Sequence, residues 1–264
     1  MTRIRFHIGA HKTATTHLQM TLAGCSFAPG TRYVPLKRLR MTLTSPVRKH
    51  RPRLPWHRWH GGTWLFSDEN ILGTADDALC MYPEPARALR YFLDCELEIF
   101  LCVRAYDAFL ASVHGETLWR NPYRPFEAAL PSRRWPDVIR DLKCELPGVP
   151  LHIWRYEDYR ENARAIARFY ADDAITDFGA PLRQDLKSGF SARAMEDMAR
   201  FRHARPRRDE VLRLREAFPV STEYPHFDPW SAEQRTHLQA MYAEDLAVID
   251  DIAALWTPLH SAKR

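Results

Sequence analysis

At 264 residues, with 45% hydrophobic and 12% aromatic residues, the chain can bury a large core and is too apolar to be disordered. No stretch approaches the roughly 18 apolar residues of a membrane span, and a strand starting at residue 3 leaves no room for a signal peptide, so a cytoplasmic protein without integral membrane association is expected. The net charge of +5, with six lysines and 32 arginines among the 38 basic residues, favours anionic partners without naming one.

Residues 3–8 read as a buried strand and 15–25 as the helix after it. Between them runs Gly9-Ala10-His11-Lys12-Thr13-Ala14-Thr15-Thr16-His17-Leu18-Gln19, a tight turn with one lysine and three hydroxyls. A helix N-terminus leaves backbone N–H groups unpaired and carries partial positive charge, so the turn predicts a phosphate or sulfate site. Lys12 adds a point charge there. A plain hydroxyl-capped helix is the competing explanation. The standard P-loop needs a glycine directly before its lysine, and none stands before Lys12. Alanine at position 14 implies that no glycine-only backbone angle is required there.

Residues 31–62 form a Pro- and Arg-rich connection with little periodicity, read as a basic, aromatic insertion. Eight lysines and arginines between Lys37 and Arg58, among them Arg40, are interleaved with Trp56, His57 and Trp59. Trp rings stack on sugar faces and arginines suit an acidic acceptor, which makes Trp56, Trp59 and the nearby His60 candidate substrate contacts; a solvated arginine-rich loop is the plainer explanation. Thr63–Phe66 reads as a second short strand ending at Ser67-Asp68-Glu69-Asn70. A helix is expected at 83–93, a strong third strand at Leu97–Val103, and a helix from Tyr106 to Arg120. A fourth strand spans Leu151–Tyr156, a helix 161–171, and further helices lie near 191–203, 208–217 and 231–255. Strands alternating with helices predict one α/β domain with a parallel sheet and a helical C-terminal part over 190–258.

Ligands of open parallel sheets bind beyond the carboxyl ends of the strands. The third strand delivers Arg104 to that edge, and Ser112 follows about two helical turns later, so guanidinium and hydroxyl can clamp one phosphate. Asp68 and Glu69 stand at another strand end, where acidic residues either cap the next helix or act as a base. His11 and His60 are competing bases, His17 and His114 weaker ones. The cysteines, Cys25, Cys80, Cys95, Cys102 and Cys144, lack metal-type spacing, and their odd number fits buried thiols in a reducing compartment. A second basic cluster at Arg200, Arg202, Arg205, Arg207 and Arg208 reads as a helix surface. No recognised nucleic-acid-binding module accompanies the charge.

The pattern Gly-x-x-Lys-Thr-x-Thr-Thr-x-Leu-Gln resembles the 5'-phosphosulfate loop of sulfotransferases that use 3'-phosphoadenosine 5'-phosphosulfate (PAPS). Position 14 is often glycine in that family. The resemblance implies a central, mainly parallel β-sheet of P-loop-NTPase-like type flanked by helices. It further implies that Gly9, Ala10, His11, Lys12, Thr13, Ala14, Thr15 and Thr16 hold the phosphosulfate, and that Arg104 and Ser112 hold the 3'-phosphate. Lys187 and Ser188, within Leu186–Ser191, lie where the family closes a loop over the nucleotide. Bacterial members often carry Ser-x-Glu-Asn after the second strand, which makes Glu69 the general base, Asp68 its reserve and an acceptor contact, and Lys12 the residue that neutralises developing charge. Trp154–Asp158 resembles the family's Arg-Tyr-Glu-Asp segment and is read as structural. The implied reaction passes a sulfuryl group to a hydroxyl or amine of a small molecule, glycan or glycolipid, leaves 3'-phosphoadenosine 5'-phosphate (PAP), and needs no metal. Two other functions compete: a P-loop kinase or nucleotide triphosphatase using Mg-ATP, and a non-catalytic polyanion binder.

Overall fold

Strand β1 (Thr2–Gly9) buries both of its faces, with Ile4, Phe6 and Ile8 on one and Arg5 and His7 on the other. A strand covered on both sides belongs in the middle of a parallel sheet, and β1 occupies that place. The computed structural model describes residues 2–49, 61–85, 88–180 and 189–258. Six strands form the sheet in the order β3-β4-β1-β5-β6-β8, every pair parallel: β3 (Thr31–Tyr33), β4 (Gly62–Ser67), β5 (Glu96–Val103), β6 (Leu151–Arg155) and β8 (Ala254–Leu255). The fold is therefore a single α/β domain of P-loop-like layout, as the strand–helix alternation predicts.

Ile4, Phe6 and Ile8 join Ile99, Leu101, Val103 and Ile153 in one core layer, packed under α5 (Tyr106–Thr117), α6 (Trp135–Glu145) and α10 (Ala232–Ile252). Leu65, Phe100, Cys102 and Trp154 face the opposite layer, covered by α1 (Thr15–Gly24) and α7 (Tyr156–Tyr170). A third, smaller cluster joins Leu118 and Phe190 to α8 (Ala192–Met198) and α9 (Arg208–Ala217), so the helical C-terminal part leans on the far end of α5.

Several local expectations need correction. The 31–62 connection is not featureless: β3 is an edge strand, and short helices α2 (Leu36–Leu39) and α3 (Ser45–Arg48) flank a single π turn. Leu39, Leu43 and Val47, four apart, are fully buried, a periodicity masked by the intervening basic residues. In place of a helix at 83–93 there is α4 (Ala75–Leu79), begun by a Thr74/Asp77 capping box, and a single 3-10 turn at Leu89–Phe92. Helix α6 fills a stretch with no expected element and buries Trp135, Val138, Ile139 and Leu142 on one stripe. Helix α7 starts at Tyr156 rather than 161, with a kink at Asn162. The last helix stops at Ile252 because Ala254 and Leu255 pair with β6. Two further short strands, β2 (Ser26–Phe27) and β7 (Ile175–Asp177), form an antiparallel pair. Of the five cysteines, all free, only Cys102 is buried, while Cys80 and Cys144 are exposed.

Candidate active site

The carboxyl ends of β1, β4, β5 and β6 share one edge of the sheet, and the chain's switch from one side of β1 to the other falls between β1 and β5. Gly9 turns the chain there at a φ of +106°, and a Cβ in its place would stand 2.9 Å from Glu69 Cβ. Only glycine lets the loop and Glu69 approach this closely. The Ala10 N–H donates to the Cys102 carbonyl at 3.2 Å, and the Thr13 and Thr15 hydroxyls donate to the Ala10 carbonyl at 2.7 and 3.1 Å. These two hydroxyls, expected as ligands, shape the loop and leave anion contact to their backbone N–H groups.

Ala14 adopts φ 61° and ψ 18°, the left-handed angle that favours glycine. The expectation that no such angle is required at position 14 is thus corrected; an L-residue can take it at a cost of about 1 kcal/mol. Ala14 has no side-chain oxygen and α1 has no side-chain cap, so the N–H groups of its first turn remain for an anion. Lys12 and Thr16 border the cavity in front of that turn.

Across the same cavity, of about 300 Å³, stand Arg104, Ser112 and Tyr156. The Arg104 guanidinium lies 4.1 Å from the Tyr156 ring centre and donates to the Lys12 carbonyl at 2.6 Å. Its Nε is buried without a hydrogen-bond partner, and burial pushes its pKa down. Among the described residues no carboxylate comes within ion-pair distance of it. A half-buried guanidinium without a counter-charge carries a desolvation cost, and an oxyanion would compensate it. Two turns along α5, Ser112 completes this wall. Lys187 and Ser188 lie outside the described residues; Gly189, just after them, borders the cavity.

The strand end of β4 divides its two acids into different roles. Asp68 is fully buried and saturated: Oδ1 accepts from Arg40 at 2.7 and 3.0 Å and from the Asn70 N–H at 3.1 Å, and Oδ2 accepts from the Thr44 hydroxyl at 2.6 Å. It caps the following turn, which removes it as reserve base and as an acceptor contact. Glu69 borders the cavity, with Oε1 accepting from Arg40 at 3.1 Å and Oε2 from Gln19 Nε2 at 3.2 Å. Burial pushes its carboxyl up, but Arg40, His11 and the Gln19 hydrogen bond outweigh burial and leave it below the ordinary carboxylate value. Glu69 is therefore ionised near neutral pH.

His11 is tied at both ring nitrogens. The Tyr82 hydroxyl accepts the His11 backbone N–H at 2.9 Å and lies 3.0 Å from Nδ1, while Nε2 lies 3.2 Å from Asn70 Oδ1. An amide oxygen only accepts, so Nε2 carries the proton and Nδ1 accepts from Tyr82. Burial pushes its pKa down. With no lone pair left over, His11 positions Asn70 and the loop instead of serving as the base. Glu157 and Asp158 are structural, as read from the sequence: Glu157 accepts from the Ala105 N–H and the Tyr242 hydroxyl, both at 2.9 Å, and Asp158 pairs with Arg155.

No protein-family model matches the chain, and no curated protein matches it.

A second chamber, of about 630 Å³, opens beside the first; Lys12, Ser112, Glu116, Gly189 and His226 border both. Glu116 stands 3.6 Å from the Lys12 ammonium. Sequence reasoning did not assign Glu116, Arg40, Gln19 or Tyr82 to the site. Glu116 lies one helical turn beyond Ser112 and Gln19 ends the loop motif, so both signals are present in the sequence; Arg40 and Tyr82 come from distant segments with no local mark. Trp56, Trp59 and His60 lie outside the described residues, as do Arg51, Arg53 and Arg58 of the same basic stretch. Among the described residues no group of three His, Cys, Asp or Glu side chains is arranged to hold a metal, and no helix is long and apolar enough to cross a membrane.

Proposed function

We propose that the chain is a sulfotransferase that takes its sulfuryl group from PAPS. The observation that carries this reading is the pairing of two anion sites in one cavity: the uncapped start of α1 with Lys12 and Thr16 on one wall, and Arg104 with its unpartnered Nε beside Ser112 on the other. A nucleotide with a 5'-phosphosulfate and a separate 3'-phosphate matches that division. The Mg-ATP reading calls for a pair of acids after β4, and of the two there Asp68 has both oxygens committed to Arg40, Asn70 and Thr44, which leaves Glu69 alone facing the cavity.

When bound, the donor supplies the sulfuryl group: the acceptor oxygen forms a bond to sulfur as the bond from sulfur to the bridging phosphate oxygen breaks. The first-turn N–H groups of α1 and Thr16 would hold the phosphosulfate, and Arg104 with Ser112 the 3'-phosphate. Lys12 would leave Glu116 to neutralise charge that develops on the leaving phosphate, an electrostatic role worth about 3 kcal/mol. Glu69, ionised and held by Arg40 and Gln19, would take the acceptor's proton. Arg40 links Glu69 to the buried Asp68 and keeps the carboxylate oriented.

Thermal unfolding with PAP, set against ATP with Mg²⁺, tests the assignment. PAP at about 100 times its Kd should add about 2.7 kcal/mol of stability, a rise of several degrees in Tm. Stabilisation by Mg-ATP without any by PAP would overturn it. With an acceptor in hand, Glu69→Gln should keep the PAP response and lose transfer.

A further inference from the structure

The chamber beside the donor cavity is unlike it in one respect: three of its arginines are exposed and have no carboxylate at ion-pair distance among the described residues. Arg120 of the segment after α5, Arg205, and Arg208 at the start of α9 all border it and are exposed. Among the described residues, none of these three has a carboxylate within ion-pair distance. Arg215 lies 5.6 and 5.7 Å from the Trp119 and Phe190 rings. Glu116 is the only acid among the described residues bordering the chamber, and it faces Lys12 at the junction with the donor cavity. Arg40 also borders the chamber, but its charge is committed to Asp68 and Glu69.

A concave space of this size suits a ligand of one or two sugar rings, and like charges gathered around it repel one another unless an anion sits among them. We infer that the chamber is the acceptor subsite and that it selects a hydroxyl compound already bearing a sulfate, carboxylate or phosphate group. This rests on the sulfotransferase reading. Arg120, Arg205 and Arg208 would take the anionic group, which directs a hydroxyl of the same molecule toward Lys12 and the Glu69 carboxylate that Arg40 holds. The 200–208 cluster, expected as a plain helix surface, would thus supply two arginines to a binding wall, beside Arg40 of the 37–60 stretch.

The test measures binding to the PAP-saturated full chain by titration calorimetry. Four probes are used: a sulfated disaccharide from heparin, glucose 6-phosphate, uncharged cellobiose and a short single-stranded oligonucleotide. The Arg205→Glu/Arg208→Glu double variant is measured alongside. Both residues are exposed, and an acid at position 208 suits the first turn of α9. The sulfated disaccharide or glucose 6-phosphate should bind at least about tenfold more tightly than cellobiose, and the double variant should lose that margin while keeping its PAP response. Whichever of the two binds more tightly assigns sulfate or phosphate as the selected group. The inference is overturned by equal binding of cellobiose, by unchanged binding in the double variant, or by an oligonucleotide that binds as tightly with the same sensitivity. A PAP response without charge preference overturns the chamber's role alone. Disaccharide binding without any PAP response overturns the donor site and the acceptor role together.

Discussion

Arg5 in β1 is buried and Arg104, just past β5, is half-buried, and their surroundings differ completely. Arg5, toward the amino-terminal edge, pairs with Glu98 at 2.9 Å and donates to the carbonyls of Tyr170 and Phe169 at 2.7 and 2.9 Å. Arg3, Asp172 and His152 extend the same cluster. Arg104, at the carboxyl edge, has one carbonyl, one aromatic ring and an Nε without a partner. The comparison teaches that saturation separates a charge spent on holding the fold from one with hydrogen-bonding capacity to spare. Asp68 and Glu69 repeat it within two residues: the saturated acid caps a turn, and its neighbour faces the cavity.

The largest effect expected from breaking the saturated side is on stability. Glu98→Leu leaves Arg5 buried without its main partner and should cost about 3–5 kcal/mol in urea unfolding. A loss under about 1 kcal/mol would show that the cluster is not what anchors β1 to β5.

On the unsaturated side the order reverses. Arg104→Ala should change folding stability by less than about 1 kcal/mol while weakening PAP binding about tenfold to a hundredfold, as for lost hydrogen bonds to a charged group. Titration of PAP into both proteins reads the difference.

His114 sharpens the comparison, because it too is buried with an unpartnered ring nitrogen, Nε2, yet it faces the core between Ser112 and Glu116. A neutral imidazole tolerates this far better than a guanidinium does. Burial pushes its pKa down to about 4, and that of His7 down to about 3. The unfolded chain takes up these protons near pH 6.5, the native state only at lower pH. Their contribution is therefore whole above about pH 6.5 and is lost as the pH falls toward the native values. The melting temperature should drop between about pH 6.5 and 4, and His114→Leu should flatten that slope by about 2–3 kcal/mol at the acid end. An unchanged slope would place the acid sensitivity elsewhere.

The smallest effect concerns the loop itself. Ala14→Gly relieves the left-handed angle and should raise stability by about 0.5–1 kcal/mol, with the PAP response retained. A fall in stability would mean that Ala14 packing outweighs its backbone strain.

The parallel sheet, the helix after the loop, and the placement of Lys12, Arg104 and Glu69 at strand ends were legible because each rests on local pattern: apolar runs, a hydroxyl-rich turn, residues just past a strand. The long β5 and the helix at 208–217 were read to within a residue for the same reason. What failed was short or tertiary. Strands β3 and β8 exist because a neighbour offers backbone partners, not because three or two residues favour extension. Helix α6 carries a visible stripe that the loops around it obscured.

By itself, then, the sequence determined the layered α/β architecture and the lysine-bearing turn before an uncapped helix, since apolar periodicity and helix-terminus chemistry act over a few residues. Only the tertiary structure decided which charges are spent. Thr44, 24 residues from Asp68, and Tyr82, 71 from His11, supply hydrogen bonds that occupy those two side chains. Arg205 and Arg208 came to border one chamber with Arg120 only when α9 packed beside the end of α5. A side chain's chemistry is written in its own position, but whether that chemistry is still free depends on partners the fold brings from elsewhere.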